Sequence, residues 1–356
     1  MKGQRIEYLD SLKAISILLV VFCHYVLLSQ DTIIGNIVMA LAWSAVPCFI
    51  MISGGLMHRN EIFSWKKHLL RIVKVYLSLV IWKGVYLAVY LFIADFVPGK
   101  TEVLQYLLFF SDLPQVDTGL MWYMHSYLAA LLIFPATHHL FFSGEQGQKI
   151  LIFLMTIIMF FGIVIPSIGK LISMSAETLD IQMIDINGID KISPFSNYIM
   201  LFYFILGAFL LKHTEKIREK LSSYKYVPLL LIFIGLSGLI VVKFYQTKSL
   251  AWKGIYISSG YSHIMTTVLS LGMYLIFVCF DFKRLNRFLG IIGRNTMGVY
   301  YMHYILLAVC NIFLYPSLHN YYSFSLNCLK TLLVTGICVI MTELIRKIPY
   351  VKELVQ

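Results

Sequence analysis

The feature that most constrains this chain is a series of apolar segments, each about as long as a helix that crosses a lipid bilayer. Such a helix needs about 20 consecutive apolar residues. Ten segments of this kind can be drawn, at residues 11–29, 33–57, 71–94, 119–141, 149–169, 195–212, 226–245, 259–280, 295–315 and 325–345. Only 13% of all residues are charged, against roughly 25% in a soluble domain. The sequence therefore predicts an all-α, polytopic membrane protein with about ten transmembrane helices.

The basic residues predict how these helices are oriented. Most of the 29 lysines and arginines fall near the two termini and the connections 58–70, 142–148, 213–225 and 281–294. Basic residues collect on the cytoplasmic side of membrane proteins, so we expect cytoplasmic N- and C-termini. The connection 246–258 is basic but falls on the outer side, against this pattern. The net charge of +11 is thus explained by topology, and we expect no nucleic-acid partner.

The rest of the chain gives no sign of a second domain. No soluble domain, fixed-period repeat or low-complexity tract stands out, so we expect residues 1–356 to form a single integral membrane domain. The longest outer connections, 95–118 and 170–194, are acidic, and TEVLQYLLFF in the first predicts a short interfacial helix. The six cysteines form no C-x-x-C pair and no cluster with zinc-like spacing. We therefore expect no metal cofactor.

Ionisable side chains inside apolar spans are functional candidates, because each costs several kcal/mol when it faces lipid. In the first span Lys13 and His24 are eleven residues apart. On an α-helix this spacing puts both side chains on one face, roughly 16 Å apart along the axis. Asp10 lies within about 40° of the same face and is expected to pair with Lys13 or another base. His125 and His303 are further candidates in later spans.

These residues belong to stretches that resemble a known family. YLDSLKAISILLVVFCH, residues 8–24, resembles the first-helix signature of the membrane acyltransferase-3 family, in which a basic residue and a histidine enclose ten others. Further stretches resemble the family's segments in the same order: VPCFIMISGGLM, KKHLLRIVKVYL, LMWYMHSYLAALLIFP, YFILGAFLL and GRNTMGVYYMH. The resemblance extends from one end of the chain to the other.

The resemblance implies a membrane-bound O-acyltransferase in the plasma or inner membrane. Its members transfer an acyl group from cytoplasmic acyl-CoA to a hydroxyl of a cell-surface or lipid-linked carbohydrate. The expected co-substrate is therefore acyl-CoA, and the expected partners are the carbohydrate acceptor and the bilayer. Acetyl is the commonest acyl group of the family, and succinyl remains an alternative.

The resemblance also implies where the coenzyme binds. Arg71 matches one arginine of the family's Arg-x-x-Arg motif, and the other position is filled either by His68 or by Lys74. Together with Lys13 and Lys67, these residues would bind the coenzyme phosphates, which favour cationic partners. An extended pantetheine arm would cover about the distance from Lys13 to the histidine of the first span.

The catalytic candidates are His24 and His303. A neutral His24 imidazole could accept the proton of the acceptor hydroxyl, or it could be acylated and pass the group on. His303 matches a late family segment. The candidates for acceptor binding are Trp122, His125 and Tyr300.

Two other functions fit parts of the sequence. Isolated ionisable residues in many spans are also found in transporters of glycans or small molecules. Secondary transporters often show two matched halves with broken helices, and GIVIPSIG has no counterpart in the first half. The other alternative is a scaffold or export partner without catalysis, against which His24 argues. Incubation of membranes with radiolabelled acetyl-CoA separates an enzyme from both.

Overall fold

The computed structural model describes residues 5–24, 33–93, 96–169, 171, 199–245, 260–280, 282–318, 323–349 and 351–355. Over these ranges the protein is helical and has no β-strand. The α-helices are α1 (Glu7–Cys23), α2 (Ile33–Trp43), α3 (Ala45–Met57), α4 (Trp65–Ile93), α5 (Lys100–Leu108), α6 (Trp122–Phe142), α7 (Glu145–Met159), α8 (Ile199–Lys212), α9 (Thr214–Ser222), α10 (Tyr226–Tyr245), α11 (Ile264–Cys279), α12 (Lys283–Arg294), α13 (Thr296–Leu318) and α14 (Phe324–Ile345). A π-helical turn, Phe160–Val164, follows α7, and 3₁₀ turns form at Gly119–Met121 and Val351–Val355.

Several of these helices can cross a membrane. Five helical stretches, three of which join neighbouring elements, are long and apolar enough: Ile37–Met57, Trp65–Ile93, Gly119–Phe142, Glu145–Gly169 and Phe324–Ile345. The pair Thr214–Ser222 and Tyr226–Val242, bent by 98°, would make a sixth. Three shorter apolar helices, Ile199–Lys212, Ile264–Cys279 and Thr296–Cys310, coincide with predicted spans. The protein is thus an all-helical, multi-pass membrane protein, while the number of ten spans and the cytoplasmic termini stay predictions.

Some sequence-based predictions fall outside the described residues. They concern the connection 246–258, the end of the first span beyond residue 24, and the connection 170–194 except for Leu171. The stretch TEVLQYLLFF does form a helix, α5. The Glu102 carboxylate accepts a hydrogen bond from the Gly99 backbone N–H at 2.9 Å, which caps the start of this helix.

Helix α1 lies at the centre of the fold. It packs against α2 and α3 and against α11 to α14, because most of its surface is apolar. An ion-pair cluster lies near its start. Asp10 forms ion pairs with Arg5 and with Lys13, the latter at 3.7 Å between Nζ and Oδ1. The expected pairing of Asp10 with Lys13 is therefore confirmed, and the side chain of Lys13 is held near the first turns of α1.

Helices α3 and α8 touch backbone to backbone. A Cβ atom at Gly54 would collide with the carbonyl oxygen of Phe204, and one at Gly207 would collide with that of Met51. Small residues at helix crossings of this kind allow close approach in membrane proteins. This glycine contact sets the position of α3, which also borders a cavity of the candidate site.

Candidate active site

A cavity of about 460 Å³ lies among α1, α2, α3, α4, α6 and α13; we call it the main cavity. It brings together five of the residues singled out in the sequence. They are Lys13, His24, Arg71, Trp122 and Tyr300. The other candidates, Lys67, His68, Lys74, His125 and His303, do not border this cavity.

The main cavity extends along α1. Lys13 lies in the second turn of this helix, and His24 is the residue that follows its last turn. Since the two are eleven residues apart, about 16 Å of helix axis separates them. Both border the same cavity, which agrees with the prediction that they share one face. Arg71, near the beginning of α4, borders the same cavity, and we call the part of the site with Lys13 and Arg71 the basic end.

A second cavity of about 380 Å³ adjoins the basic end. It shares Arg71, Tyr127 and Met297 with the main cavity and is also bordered by Lys67 and Lys74. Four of the five predicted coenzyme-binding residues therefore open onto two neighbouring cavities. They are Lys13, Lys67, Arg71 and Lys74.

A carboxylate shares this second cavity with the basic residues. The 3₁₀ turn Val351–Val355 places Glu353 at its border, where Lys74 Nζ donates a hydrogen bond to Oε2 at 2.7 Å. This hydrogen bond lowers the pKa of the Glu353 carboxyl. The turn is held by its Leu354 carbonyl, which accepts hydrogen bonds from Ser78 Oγ at 3.3 Å and Trp82 Nε1 at 3.1 Å.

The fifth predicted coenzyme ligand, His68, lies apart from the others. Its side chain is buried and packs against the rings of Phe63 and Phe134, each 5.4 Å away between centroids. His68 and Lys74 lie three residues before and after Arg71, so they point about 60° to either side of it around α4. Only Lys74 shares a cavity with Arg71. The structure thus favours Lys74 as the partner of Arg71 and gives His68 a packing position.

The histidine end of the main cavity is assembled from three helices. The ring of His24 lies 5.4 Å from that of His303 and 5.1 Å from that of Tyr304, between centroids. The backbone carbonyl of His24 accepts a hydrogen bond from Lys330 Nζ at 2.8 Å. Although His303 does not border the cavity, it is in direct ring contact with the predicted catalytic histidine. Tyr304 and Lys330 were not predicted as site residues.

The tautomer of His303 follows from its hydrogen bond. Nδ1 lies 2.9 Å from the Val299 carbonyl oxygen, which can only accept, so Nδ1 carries the proton. Burial with no charged partner among the described residues favours the neutral imidazole, and in that form the other nitrogen, Nε2, is an acceptor. It is buried and has no hydrogen-bond partner in the part of the chain that the structure describes. A fully buried imidazole with an unused acceptor nitrogen thus lies beside His24.

The candidates for acceptor binding are placed differently from one another. Trp122 borders the main cavity and packs against Tyr261, with ring centroids 5.1 Å apart. Tyr300 borders it too, and its hydroxyl donates to the Leu120 carbonyl at 2.6 Å, so the hydroxyl proton is already used. His125 lies outside this cavity, 4.7 Å from the ring of Phe110. Tyr261, an unpredicted residue, completes an aromatic wall with Trp122.

Comparison with known proteins identifies one family. The model of the acyltransferase-3 family, described as an acyltransferase domain, matches residues 6–343. No curated protein and no solved structure matches the chain. The matched range includes every residue of the main cavity.

Proposed function

The chain belongs to the membrane acyltransferase-3 family, and on this premise we propose that it transfers an acyl group from cytoplasmic acyl-CoA to a hydroxyl of a cell-surface or lipid-linked carbohydrate. Acetyl is the proposed acyl group. The family membership itself supports acyl transfer to a hydroxyl. The donor, the acyl group and the acceptor class are what the proposal adds.

One observation carries the proposal: a single cavity is bordered by Lys13 and Arg71 at one end and by His24 at the other. Coenzyme A has phosphates at one end and the thioester at the other, joined by a long, uncharged arm. Phosphates favour charge-assisted hydrogen bonds from arginine and lysine. Arg71 with Lys67 and Lys74 would bind them, and the arm would extend beside Lys13 toward His24.

The chemistry at the histidine end is then an acyl transfer with His24 as general base. The acceptor oxygen attacks the thioester carbonyl carbon while its proton moves to the imidazole of His24. The C–S bond breaks, and the coenzyme thiolate takes that proton as it leaves. If His24 is acylated first, the products are the same ester and free coenzyme A. His303, with its free acceptor nitrogen, is proposed to support His24 in either path.

The proposed orientation puts the basic end toward the cytoplasm. The positive-inside pattern supports ten spans with cytoplasmic termini, and Lys13 and Arg71 both lie near the beginnings of their helices. The thioester would then be presented deep in the bilayer, toward the outer face. Reporter fusions in connections 95–118 and 170–194 are expected to report an outer location, and a cytoplasmic signal from either would contradict this orientation.

The proposal is tested with membranes that contain the protein and acetyl-CoA labelled in the acetyl group. We expect label in membrane carbohydrate and release of free coenzyme A. His24→Ala should abolish both, whereas His139→Ala, at an exposed histidine on α6, should keep both. A transporter would leave acetyl-CoA intact, so an absence of coenzyme A release with the parent protein would contradict the proposal.

A further inference from the structure

A carboxylate stands close to His24 on a loop far away in sequence. Tyr304 donates a hydrogen bond from its hydroxyl to Asp117 Oδ2 at 2.6 Å. The ring of the same tyrosine meets that of His24 nearly at right angles, with 86° between the planes and 5.1 Å between centroids. Tyr304 therefore connects the carboxylate with the proposed base.

The loop that carries Asp117 is anchored on both sides. The carbonyl of Ser111 accepts a hydrogen bond from the buried Lys83 ammonium at 3.3 Å. Leu113 and Val116 are buried and form an antiparallel bridge. Asp117 itself accepts a second hydrogen bond, from the Gly119 backbone N–H to Oδ1 at 3.1 Å. Both carboxylate oxygens are thus held in place, although the residue is exposed at the surface of the protein.

The groups that face His24 are of opposite charge. Lys330 from α14, a cation, donates to the His24 carbonyl, and Asp117, an anion, is hydrogen-bonded to the tyrosine that packs on the imidazole. The groups from α13 are the neutral His303 and Tyr304, and Cys23 precedes His24 on its own helix. When His24 accepts a proton it becomes a cation, which a nearby carboxylate stabilises and a nearby ammonium destabilises.

We propose that Asp117 is a positioning residue that acts through Tyr304: it fixes the ring against which His24 packs and stabilises the protonated form of His24 during acyl transfer. This inference rests on the proposed role of His24. Asp117 touches neither donor nor acceptor in this arrangement. Its effect is therefore on the rate and pH dependence of the reaction and not on the binding of acyl-CoA.

The test measures release of free coenzyme A from acetyl-CoA as a function of pH, with membranes that contain each variant. Asp117→Asn should lower kcat about threefold to tenfold, as expected when one charge near the base is lost, and leave the KM for acetyl-CoA unchanged. The acidic limb of the kcat/KM profile should move to lower pH, because a neutral amide no longer stabilises imidazolium. Tyr304→Phe, which keeps the ring but loses the hydrogen bond, should lower kcat in the same way.

Two variants serve as references. Asp112→Asn removes a carboxylate from the same loop. Within the described part of the chain this carboxylate makes no hydrogen bond to Tyr304, so the variant should match the parent in both kcat and pH profile. Lys330→Gln should move the acidic limb in the opposite direction, to higher pH, because the repulsion of imidazolium is relieved.

The outcomes distinguish this inference from the proposed function. A fully active His24→Gln overturns the proposed function itself. If His24→Gln is inactive while Asp117→Asn keeps the parent's kcat and pH profile, only the role of Asp117 is overturned. A loss of kcat without movement of the acidic limb means a structural role and also overturns it. If Asp117→Asn lowers kcat and moves the acidic limb while Tyr304→Phe keeps the kcat and pH profile of the parent, Asp117 does not act through Tyr304, and that part of the inference is overturned.

Discussion

The two ends of the main cavity are built in different ways. At the basic end, Arg71 is flanked by cations of the adjoining second cavity: Lys67, Arg71 and Lys74 lie along a single helix and are exposed. At the histidine end, His24 meets residues from α13 and α14, and its hydrogen bond with Lys330 spans 306 positions of sequence. A row of similar cations can share a charged ligand, so the loss of one weakens binding. At the histidine end, His24 is the proposed base and no equivalent side chain can replace it, so its loss should stop acyl transfer.

The largest effect is expected at the histidine end, from His24→Gln. Glutamine can form hydrogen bonds but cannot accept a proton near neutral pH. We expect kcat to fall by about 10²–10⁴-fold, with normal expression and insertion. The measurement is the initial rate of coenzyme A release, with His139→Gln as the matched control. A rate within a few-fold of the parent would show that His24 only packs, and the base would have to be sought at His303 or His125.

At the basic end, Arg71→Ala is expected to raise the KM for acetyl-CoA by about tenfold, because a charge-assisted hydrogen bond contributes roughly 1.5–3 kcal/mol. The value of kcat should change much less, since the lost contact is made equally before and during the reaction. A titration of initial rate against acetyl-CoA concentration measures both constants. Unchanged constants would mean that the coenzyme phosphates bind elsewhere.

A smaller effect should separate the two possible partners of Arg71. Lys74→Ala should raise the KM for acetyl-CoA by a few-fold, because Lys74 borders the same cavity as Arg71. His68→Ala should instead leave the KM unchanged and lower the thermal stability, because a buried ring is removed from between Phe63 and Phe134. The reverse pattern would place the phosphates on the other side of α4.

The smallest effect is expected from Glu353→Gln. This change removes a negative charge from the second cavity and weakens the hydrogen bond that occupies Lys74. The KM for acetyl-CoA should fall by about twofold to threefold at low ionic strength, and salt should reduce the difference. Lys352→Gln, on the same turn, is the control: it also replaces a charge with an amide, but it should not lower the KM. A higher KM in Glu353→Gln would show that the carboxylate supports the site.

The two ends also differ in how far the sequence predicts them. The common face of Lys13 and His24 follows from helical periodicity alone, and the structure has both on one cavity. The sequence could not show whether His68 or Lys74 is the partner of Arg71. The two lie three residues before and after Arg71, and the motif does not indicate which side of α4 borders a cavity. Only the neighbours of α4 decide that.

The surroundings of His24 were beyond the reach of the sequence. Tyr304 stands next to the predicted His303, yet nothing in the chain says that its hydroxyl meets Asp117, 187 positions away. Lys330 was not among the predicted site residues, although a lone lysine within an apolar span, here 325–345, is itself a signal. Helix ends were also hard to predict: hydropathy is continuous over 33–57, but the structure ends α2 at Trp43 and begins α3 at Ala45.

The glycine contact between α3 and α8 has a consequence for protein engineering. Gly54 and Gly207 leave no room for a side chain, so any larger residue there would displace α3 and with it Phe49 and Ser53, which border the main cavity. A library that aims at a new acceptor should therefore keep both glycines constant. Substitutions are better made at Trp122 and Tyr261 on another wall of the cavity, where a change of side chain alters the shape of the cavity without moving α3.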